Sequence, residues 1–168
     1  MIFRPAIYAD LPLLQSTFAA ITQKMNANGF LFWDDRYPYE VFATDIAQKR
    51  LYLWLEGETI VSAFALCLHS SGEKAVAWED PDANALYLYR FAVHPDYEGR
   101  GIAKAMLKQV RRVAKEQGAD YLRLFVVDSN LPALHLYTSD GFSRVEGINT
   151  EQINGGPQLM EYGFEVKL

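Results

Sequence analysis

The sequence predicts an α/β fold, a mixed sheet with helices on its faces, and three observations predict it. Residues Ala85 to Val127 read strand, glycine-bearing turn, helix, strand, the order of a β-α-β crossover, which requires at least one parallel strand pair. Two apolar, β-prone runs, Leu51–Leu55 and Thr59–Leu68, flank Glu56-Gly57-Glu58 as the arms of a hairpin. Leu13, Leu14, Thr17, Phe18 and Ile21 recur at helical spacing near the start of the chain. At 168 residues, 50% hydrophobic and 14% aromatic, the chain has the length of one domain and the material for one large core, which excludes general disorder. It shows no repeat, linker or low-complexity tract, so residues 1–168 are read as a single domain.

The first helix is expected over Leu11 to about Met25, with Asp10 as N-cap and Pro12 tolerated in its first turn. Asn28-Gly29 ends it, and Phe30–Pro38 is aromatic, charged and irregular. A short helix follows over Tyr39–Gln48, using Val41, Phe42 and Ile46, and then the hairpin. Residues 69 to 84 form a polar, turn-rich loop in which Ala75–Trp78 has some strand character. The crossover comprises a strand over Ala85–Val93, a turn over His94–Gly101, a helix over Ile102–Gln117 and a strand over Tyr121–Val127. A short helix over Leu131–Ser139 precedes two strand candidates, Ser143–Ile148 and Tyr162–Leu168, joined by a loop that contains Gly155-Gly156-Pro157.

Sixteen Lys plus Arg against twenty-one Asp plus Glu give a net charge of -5, which argues against a dedicated nucleic-acid binder. The single cysteine, Cys67, sits in an apolar run; no internal disulfide or cysteine-rich zinc site can form, and a buried, inert thiol is expected. His69, His94 and His135 are not spaced as a metal set. No leader-like segment and no apolar stretch of spanning length is evident, so a cytoplasmic location without membrane attachment is expected.

The turn Tyr97-Glu98-Gly99-Arg100-Gly101-Ile102-Ala103 stands between an apolar strand and a helix with one apolar and one basic side. Glycines at 99 and 101 allow positive φ and close approach of a ligand, so successive amides can converge on an anion at the positive end of the helix dipole. The alternative is a tight connection that binds nothing. No P-loop string occurs, and Lys104 stands where a dinucleotide fingerprint needs its third glycine. From Glu98 to Glu116 six basic residues face two acidic ones, a local +4 in a chain of -5.

The string Arg90 to Ala103 resembles the acetyl-coenzyme A motif of the GNAT N-acetyltransferase superfamily, whose core is Gln or Arg, two residues, Gly, one residue, Gly or Ala. Gly101 and Ala103 fill the last two positions; Glu98 departs from the first, placing an acid beside the expected pyrophosphate. Further on, Asn130-Leu131-Pro132-Ala133-Leu134-His135-Leu136-Tyr137, followed by Gly141-Phe142, is similar to the family's other recurrent string at every named position. The resemblance is close over roughly residues 85 to 145. It implies a central, mostly antiparallel sheet of six to seven strands, parted at two parallel central strands and flanked by about four helices. It also implies acetyl-CoA as cosubstrate, no metal, and a primary amine of a small molecule or peptide as acceptor, with a homodimer left open.

The roles implied for the residues follow. Glu98, Gly99, Arg100, Gly101, Ile102, Ala103 and Lys104 form the pyrophosphate turn; Phe91, Ala92 and Val93 meet the pantetheine arm and the thioester carbonyl. Asn130 and Ala133 border the arm, Asn130 also reading as a helix N-cap, and Tyr137 is the general acid for the thiolate. Gly141 reads as the residue ending that helix and Phe142 as core. Where relatives place a basic glutamate, this chain has Tyr87, which either activates the amine through a water or lines the acceptor site; Glu79 and Asp80 are alternative acids. Trp33, Asp34 (with Asp35), Tyr37 and Tyr89 are candidates for a wall that receives a cationic amine, the alternative being that the rings cover the core and the acids face water. A reading of another class is a non-catalytic acyl-CoA binding or sensing module.

Overall fold

The computed structural model describes residues 1–152 and 155–168. In chain order these form β1 (Ile2–Pro5), α1 (Leu11–Ala27), α2 (Tyr39–Ala47), β2 (Leu51–Glu56), β3 (Thr59–Cys67), β4 (Val76–Ala77), β5 (Ala85–Val93), α3 (Ile102–Glu116), β6 (Tyr121–Val127) and α4 (Leu131–Ser139). The tail adds β7 (Ser143–Arg144), β8 (Glu146–Gly147), β9 (Asn149–Gln152) and β10 (Gln158–Lys167), and 3-10 turns occupy Tyr8–Asp10 and Pro95–Tyr97. The strands run in the order β1-β2-β3-β5-β6-β10-β7, with β9 also on β10 and a separate β4–β8 pair.

The contacts group the chain into two compact units, Met1–Ala65 with Tyr89–Leu107, and Leu66–Leu88 with Lys108–Leu168. In the first, β1 pairs antiparallel with β2 and β2 with β3. Leu14, Phe18 and Ile21 of α1 and Phe42 and Ile46 of α2 share a buried core with Leu51, Leu53, Leu55, Ile60 and Ala92. This is what the helical and alternating spacings predict: each element buries the face on which its apolar residues recur. Phe18 anchors the helix pair, its ring edge-on to Phe42 at 4.8 Å.

In the second unit β5 and β6 pair in parallel over Ala85–Tyr87 and Tyr121–Arg123, the first three of β5's nine residues. The crossover helix α3 that joins them makes this parallel pair possible. β10 lies antiparallel to β6 across seven residue pairs. On one face of that ladder Arg123, almost wholly buried, pairs with Glu165 at 3.1 Å, stacks on Trp78 at 4.6 Å and donates to the Asp80 carbonyl. Glu165 in turn accepts the Glu79 amide at 2.7 Å, so one buried ion pair ties the loop before β5 to the last strand.

Three expectations need correction. Asp10 does not cap α1 with its side chain: the 3-10 turn puts Asp10 itself in helical geometry, and its carboxylate reaches back to the Ile7 amide and to Arg4, at 2.8 and 2.7 Å. The Arg4 guanidinium holds the Asp10 carboxyl below the usual carboxylate range. The predicted strand Ser143–Ile148 is broken, because Ser143–Arg144 bonds to β10 and Glu146–Gly147 to β4. Gly147 sits at φ 103°, where a Cβ would lie 2.6 Å from the Ala75 carbonyl. The last strand begins at Gln158, not Tyr162, and pairs with β9; the Asn149–Gln152 hairpin arm is polar throughout, its buried Asn149 included, and carries no apolar alternation to announce it. Ile153 and Asn154, within the predicted loop, lie outside the described residues. Because β9 and β7 pair with successive stretches of β10 on the edge opposite β6, the eight strands occupy seven positions, matching the sheet size expected. β1, too short to show periodicity, was not anticipated.

Removing one partner of the Arg123–Glu165 pair leaves a buried charge and an unbonded amide. Glu165→Ala is therefore expected to destabilise the protein by about 3 kcal/mol in urea unfolding.

Candidate active site

The turn at the start of α3 is built by its own backbone. The imidazole of His94 accepts the Asp96 amide at 3.2 Å, Pro95 opens a 3-10 turn, and the Glu98 amide donates to the Pro95 carbonyl at 3.3 Å. Gly99 and Gly101 both take positive φ, 71° and 76°, and a Cβ on either would meet no heavy atom within 4 Å. The glycines are required by backbone conformation, and the space above them is open. The Gly101 carbonyl accepts the Ala105 amide, so α3 starts here and the first-turn amides of Ile102, Ala103 and Lys104 have no intrahelical partner. These groups form a donor-rich helix start of the kind that attracts an anion. Arg100 lies over the Tyr97 ring at 5.1 Å, and the Tyr97 hydroxyl donates to Glu56 at 2.7 Å.

Glu98, the departure from the motif, does not leave its charge unbalanced. Its carboxylate pairs with Lys24 of α1 at 2.6 Å. Nothing in the sequence links positions 24 and 98, so this compensation was not legible.

Upstream, β5 contains a kink that sequence reading missed. Arg90 has φ 52°, in the left-handed region that costs a residue with a side chain roughly 1–2 kcal/mol. Its guanidinium is buried and paired with the fully buried Asp45 of α2 at 2.5 Å, while Arg50 reaches the same carboxylate at 2.6 Å. Arg90 also stacks on Tyr89 at 5.3 Å and contacts the Tyr37 hydroxyl at 3.5 Å. A signal existed: Asp45 falls four residues after Val41 and three after Phe42, on the apolar face of its helix. Beyond the kink, Ser62 donates to the Ala92 carbonyl at 2.7 Å and the His94 amide donates to the Val61 carbonyl at 2.8 Å. Phe91 and Val93 are half-buried, and Ala92 is buried.

Of the candidate acceptor residues, Trp33 packs on Phe18 with ring centroids 5.4 Å apart and, like Tyr89, borders the core. The Asp34 carboxylate accepts the amides of Arg36 and Tyr37, both at 2.8 Å, so it shapes its own loop. Asp35 is exposed. Tyr37 is brought to Arg90. These residues and the α3 turn belong to the first unit.

In the second unit Asn130 caps α4, accepting the Ala133 amide at 3.3 Å. Tyr137 lies one helical turn after Ala133 and is buried, its ring edge-on to Phe142 at 5.4 Å. Burial pushes its phenol well above the ordinary tyrosine value. Gly141 takes φ 89° after the helix, and Phe142 is core, as expected. Tyr87 is buried edge-on to Trp78; burial raises its phenol, which Arg123 also hydrogen-bonds, so at neutral pH it is a protonated hydroxyl. Asp80 accepts the Asp82 amide in an exposed turn, and Glu79 borders the Glu165 network through its amide.

The sequence model of the Acetyltransferase (GNAT) family matches residues 18–142. The chain belongs to that family. This GNAT chain is 41% identical over 56 residues to the thialysine N-ε-acetyltransferase of Bos taurus, a match covering 33% of each chain. It is 27% identical over 97 residues to the streptothricin acetyltransferase of Streptomyces lavendulae, covering 58% of this chain and 46% of that one. It thus spans less than half the length of either relative. A GNAT-family acetyltransferase structure from Listeria monocytogenes 4b F2365 superposes with a TM-score of 0.76 over 99% of this chain and 94% of its own, at 20% identity, which shows the shared fold. Among the described residues no group of three or more His, Cys, Asp or Glu is placed to hold a metal, and no helix is long and apolar enough to cross a membrane.

The raised phenol of Tyr137 has a pH consequence. Its folded-state pKa exceeds the unfolded value near ~10, so the stabilisation from keeping it protonated is full below that pH and declines above it as the unfolded chain ionises first. Tyr137→Phe is expected to flatten the alkaline limb of a stability–pH curve measured by chemical unfolding.

Proposed function

We propose that residues 1–168 act as one acetyltransferase domain that moves an acetyl group from acetyl-CoA directly to a primary amine of a small molecule or peptide. The observation that carries this reading is the α3 turn, two positive-φ glycines with open space above them at the start of a basic helix, in a chain of the GNAT family. The names of the two relatives, one acting on thialysine and one on streptothricin, support an amine acceptor.

Acetyl-CoA supplies the thioester. The amides from Gly99 to Lys104 take its pyrophosphate, with Lys24 holding the Glu98 carboxylate in a neutral pair. The basic side of α3 adds attraction for the phosphates. The backbone of Phe91–Val93 lies along the pantetheine arm and donates to the acyl oxygen as it gains charge. Asn130 and Ala133 border the arm. As the new carbon–nitrogen bond forms and the carbon–sulfur bond breaks, the amine proton passes to water, directly or through the Tyr87 hydroxyl. Tyr137 gives a hydrogen bond or its proton to the departing thiolate. A buried phenol with a raised pKa holds its proton firmly, but burial also raises the pKa of the thiol beside it, so hydrogen-bond donation carries most of the effect. Trp33, Asp34, Tyr37 and Tyr89 stand as the acceptor-side residues.

Acetyl-CoA at about 100 times its Kd should stabilise the protein by about 2.7 kcal/mol in thermal unfolding. Absence of any shift at millimolar coenzyme would refute the reading. Tyr137→Phe is expected to lower turnover about 10²-fold in a free-thiol assay with an amine panel while coenzyme affinity stays within a factor of a few. Lys24→Gln, which leaves the Glu98 charge unbalanced, should weaken coenzyme binding, and adding Glu98→Gln should restore it; calorimetric titration checks both.

A further inference from the structure

We propose that Arg90 and Asp45 are positioning residues for the acyl carbonyl: their buried ion pair holds the left-handed kink in β5 that sets the course of the backbone from Phe91 to Val93. The inference rests on the acetyl-CoA reading and adds two residues to it, neither of which touches the coenzyme.

A mid-strand residue at φ 52° persists only where its surroundings fix it, and here the fixing group is visible. The Arg90 guanidinium is tied to Asp45 at 2.5 and 3.0 Å, and Asp45 is in turn held by Arg50 at 2.6 Å. Glycine would adopt this φ without strain, so the arginine is present for its guanidinium rather than for its backbone. Apolar side chains of similar volume would serve packing at least as well as a buried ion pair, so packing does not account for the choice. What the pair does supply is a fixed bend. A kink in one strand of a ladder displaces the residues at the bend from regular pairing and re-aims them. Immediately after it the chain is pinned again, by Ser62 on the Ala92 carbonyl and by the bond from the His94 amide to the Val61 carbonyl. Phe91 therefore lies between two fixed points, the Arg90 kink and the pinned Ala92 carbonyl, in the stretch assigned to the acyl oxygen.

The test reads the carbonyl directly. Acetyl-CoA labelled with ¹³C at the carbonyl is bound to the full chain, and its stretching frequency is measured by isotope-edited infrared spectroscopy. In the wild type the band should fall to lower wavenumber than in free acetyl-CoA. In Asp45→Asn at least half of that displacement should vanish, while the Kd of CoA, which lacks the acyl group, stays within about threefold. If Asp45→Asn does not fold, Arg90→Lys, which keeps the charge but gives up the planar fork, carries the same expectation. A folded variant that retains the full displacement, or a wild type that binds acetyl-CoA without one, overturns the positioning role. A wild type that binds no acetyl-CoA instead overturns the coenzyme reading beneath it. A residue that only packed would lower the melting temperature and leave the band unmoved.

Discussion

A carboxylate with almost no access to water organises the N-terminal half of this protein. Asp45 sits on the inner face of α2, and burying its charge is tolerable only because Arg50 and Arg90 reach it from two directions. One of those arginines follows the helix it came from; the other lies 45 residues away in β5. The pair thus fixes α2 against the strand, draws the Tyr37 hydroxyl to the same guanidinium and imposes on β5 a backbone angle its sequence would not choose. The cost of the left-handed angle and of the buried charges is met within one network, which makes the bend a property of tertiary structure.

The balance of charge shows a comparable economy at the surface. The chain is acidic as a whole, yet the start of α3 combines backbone donors with a basic helix. Glu98, the acid directly before the glycines, is answered by Lys24 from a distant helix. Exposed ion pairs contribute little to stability, typically under about 1 kcal/mol. The Lys24 pair therefore matters for the local field at the turn more than for holding α1 in place. Tyr137 illustrates the opposite regime, where exclusion of water rather than a neighbouring charge sets the behaviour of the group.

What the sequence disclosed and what it withheld divide along physical lines. Elements with a buried face announce themselves: α1, the β2–β3 hairpin, β5, α3, β6 and α4 were legible within a residue or two because burial imposes a periodicity on composition. So were Gly99, Gly101 and Asn130, since positive φ and a helix N-cap restrict residue choice locally. β7 and β8 were read as one continuous strand, and β9 with the first residues of β10 gave no trace, because the inward residues Asn149, Glu151 and Glu161 are polar and leave no apolar alternation. Pairings between distant residues were also invisible. Lys24–Glu98 and Arg123–Glu165 follow from the fold rather than from any local pattern, and Asp45 was passed over although its place on an apolar helical face marked it. Asp10 fits the same account, a capping residue by type whose actual partners were decided by the turn before it.

The longest strand, β10, is bordered by two short strands set end to end along one side. At the other end of the strand order stands β1, four residues long, closing on Pro5, which has no amide hydrogen to offer. Neither terminus of the ladder thus presents a long, uninterrupted row of backbone donors and acceptors, the feature by which sheets add foreign strands and aggregate. At the start of α3, by contrast, the successive amides of Ile102, Ala103 and Lys104 stand side by side without intrahelical partners.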